Sequence, residues 1–182
     1  MILNFILLLL YFPIHCPEKH IYWEELSLNK QEEILSSKAI FKDAIDCYRN
    51  HSFMITCNKN EVLLDTLSSL SFDTEIKAFY FYSFNRMVYT ADGSVSEILG
   101  SYCQKIILSD IDYVLNYLEN NSRLALLYAE FLGYEFYFKN EGSSDIRYDI
   151  DEFKKIINES RVNKEFVELF YTNIEKVINS ID

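Results

Sequence analysis

The feature that most constrains the fold of this chain is a short recurring pattern, a glutamate followed by apolar residues. The pattern begins at Glu61, Glu97, Glu130 and Glu165, at intervals of 36, 33 and 35 residues. A period of this length is typical of stacked helical hairpins, in which each repeat buries its apolar stripe against its neighbours. Each occurrence falls in the second helix of a predicted helix pair. We therefore expect a quasi-one-dimensional array of antiparallel helix pairs.

The composition favours helices over strands. The chain has only 4 glycines and 2 prolines, and both prolines precede residue 18. Few positions can therefore break a helix or form a tight β-hairpin, and this disfavours an all-β architecture. The 14 tyrosines and 14 phenylalanines should supply most of the buried area. These properties predict an all-α protein with an aromatic core.

Apolar residues at helical spacing, together with capping residues, predict about seven to eight helices. Ser94 and Glu97, for example, form a serine-x-x-glutamate capping box at the start of one of them. Residues 18–28 should form an irregular or short helical entry, and 53–57 is the one stretch that could be extended. The predicted helices cover residues 29–50, 60–70, 73–91, 94–109, 110–120, 122–139, 149–157 and 166–181.

Two glycines lie inside predicted helices, at equivalent places in the recurring pattern. They are Gly100 and Gly133. Each costs about 1 kcal/mol relative to alanine in a helix interior. We expect this cost to be offset by a close crossing of neighbouring helices at each glycine.

The segment from Asp73 to Phe138, with its successive amphipathic helix pairs, resembles HEAT-like α-solenoid helical repeat proteins. The resemblance implies a right-handed array of stacked helix pairs. It also implies a binding function, because proteins of this kind mostly offer a curved surface to a protein or peptide partner.

Residues 1–16 look like a leader for export. An apolar run of about a dozen residues, too short to span a bilayer, ends at Pro13. Cys16 sits where the lipid-modified cysteine of a bacterial lipoprotein would sit. We expect an exported, periplasmic or membrane-anchored protein with one helical domain at residues 17–182. The alternatives are a misassigned start codon, or a cytoplasmic protein whose N-terminal helix packs into the core.

The cysteines offer a disulfide and, as an alternative, a metal site. Cys47 and Cys57 flank a plausible turn and form the candidate disulfide in an oxidising compartment. Cys47 and His51 are four residues apart on one helix face, so Cys57 could complete three zinc ligands. No fourth ligand follows in the sequence. We therefore predict no bound metal.

The charge and the side chains available for catalysis limit the function. A formal charge of −11 without a basic cluster disfavours nucleic-acid binding. The charge could suit a basic partner, and the alternative is that it simply maintains solubility. His20 and His51 are the only histidines outside the leader, and no glycine-rich phosphate loop is present. We predict no catalytic residue and no cofactor, and we interpret the chain as a protein without enzymatic activity.

Excess tyrosines indicate where a partner could bind. Two helices carry more rings than one inward face can hold, and the candidate partner surface is Tyr80, Tyr82, Tyr134 and Tyr137. The alternative is that these rings are buried around a central helix. The leading hypothesis is a non-enzymatic helical-repeat protein that binds another protein or peptide. The first alternative is a bacterial immunity protein that neutralises a basic toxin, and an uncharacterised enzyme is a third hypothesis.

Overall fold

A computed structural model describes residues 20–51, 60–70, 73–91, 93–139 and 146–181 of the 182-residue chain. In these ranges the chain forms one short 3₁₀ helix and nine α-helices, without a strand. The all-α prediction is confirmed. The 3₁₀ helix is Trp23–Glu25, and the α-helices are α1 (Leu28–Leu35), α2 (Lys42–Arg49), α3 (Asn60–Ser68), α4 (Thr74–Thr90), α5 (Gly93–Ser109), α6 (Ile111–Glu119), α7 (Ser122–Lys139), α8 (Ile146–Ile157) and α9 (Lys164–Ile181).

Side chains cap the helices at several of the predicted starts. The Asp73 carboxylate accepts hydrogen bonds from the first-turn backbone N–H groups of Glu75 and Ile76 at the start of α4. Asp110 accepts one from the Tyr113 N–H at the start of α6. These carboxylates satisfy amides that have no partner within the helix, and they also face the positive end of its dipole.

The predicted first helix, residues 29–50, is wrong, because the chain forms two helices there. Helix α1 ends at Leu35 and α2 starts at Lys42. Two serines lie in the break, where the Ser36 hydroxyl donates to the Glu32 carbonyl and the Ser37 hydroxyl accepts from the Ala39 N–H. Serine hydroxyls compete with the helical hydrogen bonds of the backbone, so this pair favours a turn.

The helices that carry the recurring glutamate pattern pack against one another in sequence order. Helix α3 contacts α5, α5 contacts α7, and α7 contacts α9. Helices α4, α6 and α8 lie against this row, and each of them contacts α7, whereas α2 contacts α3 and α4. The described chain therefore has two layers of helices with α7 at the centre. The α-solenoid arrangement, including its right-handed curvature, stays a prediction.

Aromatic residues fill the space between the two layers. The Tyr128 hydroxyl on α7 donates a 2.7 Å hydrogen bond to Asn85 Oδ1 on α4, within the core. Phe84 lies beside Tyr128, with ring centroids 6.1 Å apart. The tyrosine and phenylalanine rings that are almost completely inaccessible are those of Phe79, Tyr80, Phe81, Phe84, Tyr113, Tyr128, Phe136, Phe153 and Phe170.

The two helical glycines lie where neighbouring helices of the row come closest. A Cβ atom added at Gly100 on α5 would lie 2.5 Å from the Phe131 carbonyl oxygen on α7. A Cβ atom added at Gly133 on α7 would lie 2.6 Å from Val177 Cβ on α9. The predicted close crossing is confirmed at both positions. Its physical basis is that these contacts leave no room for a side chain.

We expect Gly100→Ala to lower the free energy of unfolding by about 1–3 kcal/mol, because the added methyl group meets backbone rather than a movable side chain. Helix propensity alone predicts the opposite sign, a gain of about 1 kcal/mol. Ser101→Ala, at the exposed next position of the same helix, is the control and should change stability little. Urea unfolding measures both. A stabilised Gly100→Ala variant would contradict the close contact.

Candidate functional site

The row α3, α5, α7 and α9 leaves one side facing solvent, and large apolar side chains remain exposed on it. Helices α5 and α7 have row neighbours on both flanks and the second layer beneath them. Their exposed residues must therefore lie on the remaining side, which we call the outer face. It is defined by Ile98, Leu108, Leu126 and Phe138.

The exposed apolar residues are concentrated on this row. Val62 on α3 and Leu169 on α9 add two more at its ends. Elsewhere in the described chain, Leu28 and Tyr89 are the exposed large apolar residues. Leu126, on the central helix of the row, is 56% exposed. This distribution makes the row the candidate contact surface.

The structure separates the four tyrosines of the predicted partner surface. The prediction that Tyr80 lies on the surface is wrong, because its side chain is buried. Its hydroxyl oxygen accepts a 2.8 Å hydrogen bond from the Phe41 N–H. The reason is that α4 is enclosed by α2, α3 and α7. Tyr82 is half-buried against the rings of Trp23 and Tyr48.

The other two predicted tyrosines border the outer face. Tyr134 and Tyr137 are half-buried on α7, with ring centroids 6.4 and 5.3 Å from that of Phe138. These contacts extend the exposed Phe138 into a small aromatic patch. Two of the four predicted residues therefore lie where a partner could reach them.

A second candidate site, which sequence reasoning missed, is a pocket of about 320 Å³ in the other layer. It lies between the 3₁₀ helix and the C-terminal end of α6. Its size falls within the range of small-molecule sites. The pocket is lined by Tyr22, Glu24, Glu25, Tyr117, Asn120 and Asn121.

Tyrosine hydroxyls hold the walls of this pocket together. The Tyr22 hydroxyl donates to the Tyr113 carbonyl (3.1 Å), and the Tyr113 hydroxyl donates to the Ile21 carbonyl (2.9 Å). The Tyr117 hydroxyl donates to Glu24 Oε1 at 2.6 Å. The rings of Tyr22 and Tyr117 have centroids 4.9 Å apart. The segment before α1 is thereby fixed on α6.

The local environment keeps these hydroxyls protonated. Burial, aided by the charges of Glu25 and Asp110, raises the pKa of Tyr22 to about 12. Burial also raises the pKa of Tyr117 well above its usual range, and its hydrogen bond to Glu24 adds to the effect. Both tyrosines therefore remain protonated hydrogen-bond donors to a higher pH than a solvent-exposed tyrosine does.

Sequence patterns carry little signal for this pocket. Tyr22 falls in the irregular entry before the first helix, where no periodicity places its ring. Adjacent carboxylates such as Glu24 and Glu25 are common in an acidic chain, and helix capping accounts for many of them. Only the fold brings these residues beside Tyr117, which is 93 positions from Glu24.

The predicted cysteine sites are only partly covered by the described residues. Cys47 is half-buried on α2, whereas Cys57 and Cys16 lie outside the described residues, so the disulfide and the lipidation stay predictions. The buried Cys103 is a free thiol whose pKa is raised by burial. In the described ranges, no three histidine, cysteine or acidic side chains come together in an arrangement that could hold a metal ion.

No family model, curated protein or solved structure matches this chain. The resemblance to HEAT-like proteins therefore stays a prediction. Within the described residues, no helix combines the length and the apolar character that crossing a membrane requires.

The raised tyrosine pKa values predict a loss of stability at alkaline pH. The neutral forms of Tyr22 and Tyr117 are favoured in the folded chain relative to an unfolded pKa of about 10. Their contribution is therefore complete below about pH 10 and decreases as the pH rises above it. We expect less tyrosinate absorbance at about pH 11 in the folded chain than in the urea-unfolded chain. Equal absorbance would contradict the description of this pocket.

Proposed function

We propose that this protein binds another protein through the outer face and has no enzymatic activity. The observation that carries the proposal is the concentration of exposed apolar side chains on the α3, α5, α7 and α9 row. Exposed patches of this kind commonly become the centre of a protein interface, since their burial is favourable. Leu126 and Phe138 are the most exposed members of the face and are its expected anchors.

The charges support a basic partner. Glu130 is exposed on α7 and lies one helical turn from Leu126 and from Tyr134. Glu168 is exposed next to Leu169 on α9. The chain as a whole carries −11. Carboxylates around an apolar centre speed association with a positively charged surface and repel an acidic one.

An immunity function is the second candidate, and the same charge favours it. A protein that covers the basic active site of a toxin needs an acidic surface with apolar and tyrosine contacts, which this chain offers. A toxin gene beside the gene for this protein, with co-purification of the two products, would support this function. A basic partner without toxic activity would instead leave the more general binding function.

We also propose that the protein is exported or anchored in the cell envelope. This part of the proposal rests on the apolar run in residues 1–16, which lie outside the described residues. Mass spectrometry of the chain recovered from cells should show loss of this leader, or a lipid adduct on Cys16. An unmodified Met1 in the recovered chain would contradict export.

The outer face can be tested with a matched pair of exposed leucines. Leu126→Asp should weaken binding of the purified partner by about tenfold or more, because it places a charge at the centre of the interface. Leu28→Asp makes the same change on α1, outside the row, where Leu28 is 78% exposed. It should leave binding unchanged.

Affinity capture with the full chain first supplies the partner, and calorimetry with the purified pair then measures both variants. Thermal melts should be unchanged, since both leucines are exposed. Equal binding by the Leu126→Asp variant and the unmodified chain would contradict the proposal. An equal loss of binding in both variants would also contradict it.

A further inference from the structure

We propose that the pocket lined by Tyr22, Tyr117, Glu24 and Glu25 binds an alkylammonium group. This site lies on the layer opposite the outer face, so the inference does not depend on the proposed function. The ligand class follows from the chemistry of the walls, because two tyrosines and two carboxylates are among the residues that line this open pocket of about 320 Å³.

The tyrosine rings and the carboxylates of the pocket both attract cations. The faces of tyrosine rings carry partial negative charge and attract cations, most strongly where water is excluded. Glu24 and Glu25 add full negative charges at the same pocket. An alkylammonium group combines a positive head with an apolar stem, so it can use the carboxylates and the rings at once.

At Glu24, an ammonium head fits better than a guanidinium. Arginine binds carboxylates best through two parallel hydrogen bonds, one to each oxygen. Glu24 Oε1 already accepts the Tyr117 hydroxyl at 2.6 Å, which disfavours that arrangement. An ammonium is a compact point charge and does not require both oxygens.

The protein itself holds one ammonium group between a carboxylate and a tyrosine ring, at a position next to the pocket. Lys77 Nζ lies 2.7 Å from Asp110 Oδ2 and 4.6 Å from the centroid of the Tyr113 ring. An ammonium group is thus held between a carboxylate and a tyrosine face. The Tyr113 ring lies 4.9 Å from that of Tyr22, so the pocket is adjacent to this internal example.

No lysine or arginine of the described ranges fills the pocket. The ion pairs in those parts of the chain involve other carboxylates, and neither Glu24 nor Glu25 takes part in one. Glu25 is exposed at the pocket edge. The negative charge of the site is therefore open to a cation from outside the described chain.

Titration of the full chain with n-butylammonium tests the inference, with n-butanol as the neutral probe of similar size. Backbone amide resonances of Tyr117, Asn120 and Asn121 should shift and saturate with the ammonium probe and not with the alcohol.

Two short peptides distinguish the source of the ammonium, one with a central lysine and one with norleucine in its place. Tighter binding of the lysine peptide than of butylammonium would identify a polypeptide ligand. Equal binding would identify a free amine, and either result supports the site.

Charge-neutralising variants complete the test. Glu24→Gln with Glu25→Gln should weaken butylammonium at least fivefold, and the amide oxygen introduced by Glu24→Gln can still accept the Tyr117 hydroxyl. Glu152→Gln removes one charge from the exposed face of α8 and should have no effect. If the double variant fails to fold, Glu25→Gln alone is the substitute. It should fold, because Glu25 is exposed, and it should still weaken binding, because it removes one negative charge from the pocket. The inference is overturned by equal shifts with butanol, by the absence of saturation, or by an equal loss in Glu152→Gln.

Discussion

The close approach of α5, α7 and α9 is the constraint on which the rest of the structure depends. It is possible because Gly100 and Gly133 have no side chain. A Cβ atom at either position would lie within about 3 Å of backbone or side-chain atoms of the neighbouring helix. With α7 held between α5 and α9, its other faces are available to contact α4, α6 and α8. The burial of Phe136 and Tyr128 at the centre follows from this arrangement.

The two layers produce two chemically different surfaces. The row has flanking helices and a second layer beneath it, so only its outer face is open, and apolar side chains remain there. On the other layer, the segment before α1 is fixed to α6 by the hydroxyls of Tyr22 and Tyr113, and a carboxylate pocket forms at their edge. The first surface is the proposed binding site for a protein partner, and the second is the proposed site for an alkylammonium group.

The sequence predicted the helical class and the two close crossings well, because periodicity and helix propensity are local properties. It failed where tertiary contacts decide the outcome. Tyr80 and Tyr82 are two residues apart on one helix, yet only the enclosure of α4 shows that Tyr80 is fully buried. The pocket joins residues 93 positions apart, and no local pattern could indicate it. The missed break between α1 and α2 has a local cause instead, because serine hydrogen bonds there compete with a helical pattern.

Native-state hydrogen exchange tests the central position of α7 most directly. If α7 is the helix on which both layers depend, its buried amides from Leu124 to Phe136 should exchange only through global unfolding. Their opening free energy should then equal the free energy of unfolding measured with urea. Helices α1 and α2, at the periphery, should open at lower cost. Exchange of the α7 amides through a smaller opening, while α1 or α2 remains protected, would contradict the account.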